Sequence, residues 1–282
     1  VSRREFAAPA KLNLFLHVVG RRPDGYHLLQ TAFRLLDRCD TLSFEPRDDG
    51  AITRSYVLEG VSEHDDLCIR AANLLKAESR VRAGASVALT KRLPSGGGLG
   101  GGSSDAATTL LALNRLWGLH WPRARLQELG LALGADVPFF VFGRSALAEG
   151  IGELLQPVDL PPAWYLVIVP PAKVSTAEMF AAPELTCHTK RIKLSDFSAG
   201  WVWESARNDL QPVVCNRYPQ VAAALEWLTQ FANARMSGSG SCVFAEFSEE
   251  GRASEVLAQL PAGWRGWVAR GLNQHPLWDL AA

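Results

Sequence analysis

Lys91-Arg92-Leu93-Pro94-Ser95-Gly96-Gly97-Gly98-Leu99-Gly100-Gly101-Gly102-Ser103-Ser104-Asp105 decides how this chain is read. Six glycines fall within the seven positions 96–102. Glycine loses more backbone entropy on folding than any other residue. A backbone that must wrap closely around a ligand gives a reason to bear that cost. A strand-like run precedes the loop at 86–90. Apolar residues with helical spacing follow it: Ala106-Ala107, Leu110-Leu111, Leu113 and Leu116-Trp117. A glycine loop that opens a helix offers unpaired N–H groups and the positive end of the helix dipole, which suits a phosphate. Ser103 and Ser104 read as N-cap residues that add hydroxyl donors. The expectation is a polyphosphate-binding loop. A flexible linker is the bland alternative, but Gly/Ser linkers do not normally join a strand to a helix.

Three common phosphate loops fail. The Walker pattern ends in Gly-Lys-Ser/Thr, whereas Gly102 is followed by Ser103 and the loop holds no lysine. Gly96, Gly98 and Gly101 match G-x-G-x-x-G, as any glycine-rich run does. The acid expected about twenty residues further on would fall in Trp117-Gly118-Leu119-His120-Trp121, which has none. The Val-Ala-Ile-Lys, His-Arg-Asp and Asp-Phe-Gly set of protein kinases is missing.

Composition sets the outer bounds. The chain has 282 residues, 48% hydrophobic and 21% charged, with zero net charge. That length fits one large domain or two modest ones. No bulk basic field argues for nucleic acid or a membrane surface, and no apolar run approaches a bilayer span. Residues 1–9 lack the apolar core of a signal peptide. Five scattered cysteines, Cys39, Cys68, Cys187, Cys215 and Cys242, show no zinc spacing and read as reduced thiols in a cytoplasmic protein. Lys190-Arg191-Ile192-Lys193 reads as a solvated loop.

Residues 10–19 alternate as a strand. Leu12, Leu14, Leu16 and Val18 face one way, and Lys11, Asn13, Phe15 and His17 the other. By itself Lys11 reads as a surface lysine. Pro23-Asp24-Gly25 is a turn. The adjoining Tyr26-His27 suits an aromatic base held by stacking and edge hydrogen bonds, or a tyrosine packed under a turn. Strands are expected over 28–36, 41–44 and 51–58, with Arg47-Asp48-Asp49-Gly50 as a hairpin turn. A helix is expected over 67–77 with Asp65 and Asp66 at its start, and another over 122–133. Asp136 is the one acid in the apolar stretch Gly134-Ala135-Asp136-Val137-Pro138-Phe139-Phe140. A buried lone carboxylate is costly, so such an acid is paired, functional, or the cap of a turn. Short strands are expected over 145–149 and 153–156, a linker at 157–162, and a buried strand over 164–169. Further on, helices are expected over 175–181, 219–231 and 253–260, and a strand over 267–272. The small-residue loop Ser237-Gly238-Ser239-Gly240-Ser241 feeds a strand or makes a tight turn. The domain boundary is placed near residue 160.

The loop, in the form Pro94-Ser-Gly-Gly-Gly-Leu-Gly-Gly-Gly-Ser-Ser-Asp-Ala, resembles the second motif of the GHMP kinase superfamily. Ala8-Pro9-Ala10-Lys11-Leu12-Asn13-Leu14 resembles its first motif, and Arg235-Met236-Ser237-Gly238-Ser239-Gly240 its third. Arg22-Pro-Asp-Gly-Tyr-His27 and Gly134-Ala-Asp-Val-Pro138 look like one branch of that superfamily. In that branch, ATP phosphorylates the 2-hydroxyl of a cytidine-diphosphate-linked methylerythritol in non-mevalonate isoprenoid synthesis. The resemblance implies an α+β, two-domain GHMP kinase fold. Residues 1–160 would form a ribosomal protein S5 domain 2-like unit and 161–282 a ferredoxin-like unit, with the active site in the cleft between them. It implies ATP and Mg²⁺, the ion bridging phosphate oxygens as it commonly does where few protein ligands are available, with no metal-ligating residue assigned. Lys91, Pro94, Ser95, Gly96, Gly97, Gly98, Leu99, Gly100, Gly101, Gly102, Ser103 and Ser104 would hold the nucleotide. Lys11 and Asp136 would be catalytic, Asp136 as general base and Lys11 beside it stabilising negative charge. Asn13, Tyr26, His27 and Phe180 would bind the cytidine substrate. The family commonly has asparagine where Asp66 stands, which leaves a nucleotide contact there open. A monomer or weak homodimer is expected, with no nucleic-acid or membrane partner. The rival readings are another GHMP kinase, acting on a sugar, homoserine or mevalonate, and a non-catalytic nucleotide-binding protein.

Overall fold

A computed structural model describes residues 4–193 and 206–281. Its spine is a pair of long antiparallel strands, β1 (Glu5–Arg21) and β2 (His27–Arg47). β1 is a strand as read, but the single alternation of Leu12, Leu14, Leu16 and Val18 against Lys11, Asn13, Phe15 and His17 does not hold along it, and both of its faces are buried. The pairing of β1 with β2 shifts between Asn13 and Leu16. This bulge turns the strand. Leu12, Leu14 and Phe15 join one core, while Leu16 and Val18 join another.

The expected strands 28–36 and 41–44 are one strand. Asp37 and Arg38 reach solvent, which reads as an interruption. The strand nevertheless continues through a register shift at this point, from Lys11 opposite Leu35 to Pro9 opposite Cys39 and Ala8 opposite Asp40. The hairpin at 47–50 is also corrected. After the turn, the short β3 (Ile52–Arg54) runs parallel to β4 (Gly84–Thr90), and β4 lies between β3 and β2. A turn residue pattern fixes a reversal of the chain, not the strand it will pair with.

Over this sheet lie α1 (Leu67–Ser79), α2 (Gly101–Leu116), α3 (Arg123–Leu131) and α4 (Val137–Phe142). α2 is buried almost all round by α1, α4 and the sheet, and it carries Ser104, Asp105, Thr108, Thr109 and Asn114 into the interior with its apolar residues. Its cap is Gly100, in the left-handed region at φ 70°. The expected caps Ser103 and Ser104 therefore lie inside the first turn. β5 (Ala146–Glu149) and β6 (Leu154–Pro157) extend the sheet from β2.

The rest of the chain contributes β7 (Trp164–Val169), β8 (Ala234–Met236), β9 (Val243–Phe247) and β10 (Arg265–Leu272), all antiparallel. α5 (Thr176–Phe180), α6 (Gln211–Arg217), α7 (Pro219–Thr229) and α8 (Glu250–Leu257) belong to this part. Gly271 and Leu272 of β10 pair with Leu36 and Leu35 of β2, which joins the two parts into one sheet. Arg34, buried at this seam, donates to Asn273 Oδ1 at 2.9 Å and the Pro161 carbonyl at 3.1 Å. Among the described residues, no helix is long and apolar enough to cross a membrane.

Candidate active site

β1, the glycine loop and the β8–β9 loop converge on one point. Lys11 N donates to the Leu99 carbonyl at 2.9 Å. Asn13 N donates to Ser237 Oγ at 3.1 Å, and Ser237 Oγ donates to the Gly98 carbonyl at 2.9 Å. Cys242 N donates to the Gly97 carbonyl at 3.1 Å. Asn208, also buried, donates to the carbonyls of Met236 and Gly238 at 2.8 and 2.7 Å. Ser237 and Asn208 thus position the loop. A sequence pattern could have flagged Ser237 through its motif, but nothing flags Asn208.

These contacts change the explanation of the glycines. A Cβ on Gly98 would stand 2.1 Å from the Ser237 carbonyl oxygen, and one on Gly97 2.6 Å from Cys242 Sγ. A Cβ on Gly100 would stand 2.8 Å from the Phe140 ring. Gly98 and Gly100 also have positive φ, which side chains resist. Close docking of protein on protein by itself excludes side chains at these three positions. At Gly96, with φ 71°, no atom stands within 4 Å of a Cβ, and the residue faces open space.

A cavity of about 550 Å³ lies at the convergence, a size suited to a small-molecule ligand. Pro94, Ser95, Gly96, Gly97, Gly98, Gly100, Gly101, Gly102 and Ser103 border it, as do Lys91, Lys11, Asn13, Asp136 and Phe180. Leu99 instead sends its side chain into the core, and Ser104 is fully buried. The first turn of α2 therefore opens on the cavity with its free N–H groups, a fit for an anionic oxygen.

Lys11 Nζ lies 3.3 Å from Asp136 Oδ2 and donates to Asn13 Oδ1. Asn13 Nδ2 donates in turn to Thr31 Oγ1 at 2.9 Å. The Asn13 amide thus holds Lys11 in place with one N–H and one lone pair in use, and the residue still borders the cavity. Lys11 is buried, whereas the Asp136 side chain is 33% exposed. Asp136 is not the enclosed carboxylate its apolar neighbours suggested, because Val137–Phe142 turn into the core as α4 and leave residue 136 at the mouth.

Asp66 is also accounted for. Its carboxylate caps α1 through Cys68 N at 2.9 Å, and accepts from Tyr56 Oη at 2.8 Å and Arg54 Nη1 at 3.2 Å. Lys91 is no solvated strand end. It sits between Asp40 Oδ2 at 2.5 Å and Asp105 Oδ2 at 2.6 Å. Burial lowers its pKa, but the two carboxylates outweigh that and raise it.

A second cavity of about 520 Å³ adjoins the first through Leu29, Ile151, Thr176 and Phe180. Tyr26 and His27 line it. The His27 and Phe180 rings stack with centroids 5.3 Å apart. They leave no room for a base between them and form one wall together. Tyr26 is 62% exposed. Burial and the nearby Arg21 lower the pKa of His27, so its ring is neutral near pH 7 with one donor and one acceptor nitrogen. Among the described residues, no three His, Cys, Asp or Glu side chains are grouped to hold a metal ion.

The N-terminal GHMP kinase domain pattern matches residues 66–144 and the C-terminal one residues 201–266. The chain belongs to the GHMP kinase family. Relatives narrow the branch. A 4-diphosphocytidyl-2-C-methyl-D-erythritol kinase of Thiobacillus denitrificans is 62% identical over 97% of each chain. That of Aromatoleum aromaticum is 60% identical over 96% of this chain and 94% of its own. A crystal structure of 4-(cytidine 5'-diphospho)-2C-methyl-D-erythritol kinase superposes with a TM-score of 0.83 at 33% identity, covering 95% of this chain and 99% of that one. Mevalonate kinase of Methanococcus jannaschii shares the fold at a TM-score of 0.67 and 14% identity, over 96% of this chain and 99% of its own.

Proposed function

We propose that this protein phosphorylates the 2-hydroxyl of 4-diphosphocytidyl-2-C-methyl-D-erythritol with ATP, a step of non-mevalonate isoprenoid synthesis. The observation that carries the reading is the Lys11–Asp136 pair at 3.3 Å, on the border of the same cavity as the glycine loop. The second, aromatic cavity beside it selects this acceptor over a sugar, homoserine or mevalonate, none of which has a base to hold.

The loop over 94–103 and the first turn of α2 hold the triphosphate through backbone N–H groups. Mg²⁺ entering with the nucleotide would supply charge neutralisation at the phosphates beside the loop. Asp136 accepts the proton of the acceptor hydroxyl. Its exposure at the cavity mouth lets that hydroxyl reach it. Lys11 stabilises negative charge on the transferred group, and Asn13 with Thr31 fixes the ammonium. At the far end, the Phe180–His27 wall and Tyr26 hold the cytosine, and neutral His27 reads its edge. Fixing the base, remote from the chemistry, aligns the hydroxyl with the γ-phosphate. In this reading residues 1–160 carry the nucleotide and 161–282 complete the cleft, in a cytoplasmic enzyme.

The test is ATP-dependent phosphorylation of the cytidine substrate by the wild type and by Asp136→Ala. The variant should still bind ATP and substrate while kcat falls by about 10²–10⁴. Near-wild-type kcat would remove Asp136 from the mechanism. Preference for mevalonate, homoserine or a sugar over the cytidine substrate would overturn the assignment.

A further inference from the structure

Beneath the first turn of α2, one ammonium serves two carboxylates. Lys91 Nζ contacts both Asp40 Oδ2 and Asp105 Oδ2. Asp40 spends its other oxygen on the backbone N–H groups of Arg92 and Leu93, at 2.5 and 2.8 Å. Asp105 Oδ1 has no partner among the described residues, although its side chain is only 4% exposed. Asp105 and Lys91 both border the cavity assigned to ATP. The groups facing Asp105 are Lys91 at the end of β4, Asp40 from β2 and Cys68 from α1, with Asp66 beyond Cys68. On α2 itself, Thr109 Oγ1 donates to the Asp105 backbone carbonyl at 2.8 Å and also meets the Cys68 thiol. With both carboxylates ionised, the cluster carries a net negative charge in a buried site, beside the place where further anions must enter.

We propose that Asp105 is a proton-linked determinant of ATP affinity, its carboxylate taking up a proton from solvent when the triphosphate binds. This rests on the assignment of the cavity to ATP. Two carboxylates that share a site cannot both ionise freely. Burial raises the Asp105 pKa, Lys91 opposes this and Asp40 adds to it, leaving it at about 7. Triphosphate charge in the adjoining cavity raises it further. Linkage then requires the neutral form of Asp105 to bind ATP more tightly than the ionised one. Asp105 touches neither the reacting atoms nor Lys11 in this arrangement, so it acts on affinity and not on the chemical step.

The experiment is calorimetric titration of the whole protein with ATP and excess Mg²⁺, without acceptor, from pH 6 to 8.5. For wild type, a one-unit rise of the Asp105 pKa on binding weakens ATP by about tenfold across this range. The heat at pH 7 should also vary with the ionisation enthalpy of the buffer. For Asp105→Asn, Kd should be flat with pH and close to the wild-type value at pH 6, with buffer-independent heat. A second measurement needs no variant. In wild type labelled with ¹³C at aspartate carboxyl groups, one carboxyl should titrate near neutral pH, and its midpoint should rise when ATP is bound. A pH-independent wild-type Kd, an Asp105→Asn profile parallel to wild type, or no such carboxyl would overturn the proposal while leaving the ATP site standing. Failure of ATP to bind at any pH would overturn the site assignment, and the proposal with it.

Discussion

At the scale of single residues, the proposed base site divides its work between shape and hydrogen bonding. Tyr26, His27 and Phe180 line it, with the His27 and Phe180 rings stacked on each other. Tyr26→Ala should raise KM for the cytidine substrate by about 10–100-fold, the worth of one to three kcal/mol of base stacking, with kcat and KM for ATP nearly unchanged. Steady-state kinetics with each substrate varied in turn checks this; an unchanged KM would remove Tyr26 from the base site. His27 makes a separate prediction with a definite sign. Its pKa lies below the ordinary 6.5 because burial disfavours the cation, and Arg21 adds to the effect. The ring therefore loses its acceptor only as pH falls below about 6.5. KM for the cytidine substrate should be flat above pH 7 and rise toward pH 5. His27→Gln, which keeps an acceptor and a donor, should flatten the acid limb. A KM that rises equally in both proteins would assign the titration to another group.

At the scale of elements, the glycine loop separates conformational cost from contact cost. Gly96 and Gly100 have nearly the same φ, 71° and 70°, in opposite surroundings. Gly96→Ala meets no neighbour and should cost about 1–2 kcal/mol, the penalty of the left-handed region alone. Gly100→Ala adds a methyl 2.8 Å from the Phe140 ring and 3.1 Å from Lys11 Cε. It should cost about 1–3 kcal/mol more and displace Lys11, so turnover should fall along with stability. Chemical denaturation and kcat on the two variants decide; equal losses would mean that Phe140 yields and the packing is not tight. Legibility divides along the same line. The loop, β1 as a strand, α1 and the turns at 23–25 and Asp136 are legible because local chemistry marks each of them: glycine, period-two alternation, capping aspartate, proline. What could not be read depends on the partner across space. Asp37-Arg38 looked like a strand end because exposure was visible in the residues and pairing was not. The turn at 47–50 did not show that β4 would insert beside β2. The reason for Gly98 lies at Ser237, and the partners of Lys91 lie at Asp40 and Asp105, none of them near in sequence.

At the scale of the whole molecule, the last described residues tie the seam between the two parts to the helix that follows Asp136. Asn273 bonds Arg34 and both polar backbone groups of Leu160. His275 N donates to the Gly143 carbonyl at 2.9 Å, just past the end of α4. Arg123 donates to the Val141 carbonyl and, at 2.6 and 2.8 Å, to those of Trp278 and Ala281. The His275 ring is buried, with Nδ1 accepting from Leu277 N at 3.0 Å and Nε2 without a partner among the described residues. Burial, with the Arg123 cation nearby, holds its pKa down at about 3. His275 is therefore neutral when folded but protonates near 6.5 when unfolded. Below pH 6.5 the unfolded chain binds the extra proton, so stability falls as pH drops toward 3. The slope from this one group is at most about 1.4 kcal/mol per pH unit. Asp105 acts with the opposite sign: its raised pKa makes the folded state the better proton acceptor between about 4 and 7. The two effects oppose each other in the wild type, so its pH profile alone cannot reveal either. The difference between wild type and His275→Asn can, since asparagine keeps an acceptor for Leu277 N and does not titrate. The variant should be less stable at pH 7, from the smaller side chain, and the gap should narrow steadily from pH 6.5 to 4.5 in urea denaturation. Parallel curves would place the acid sensitivity elsewhere, with His17, whose pKa burial also lowers, as the next residue to replace.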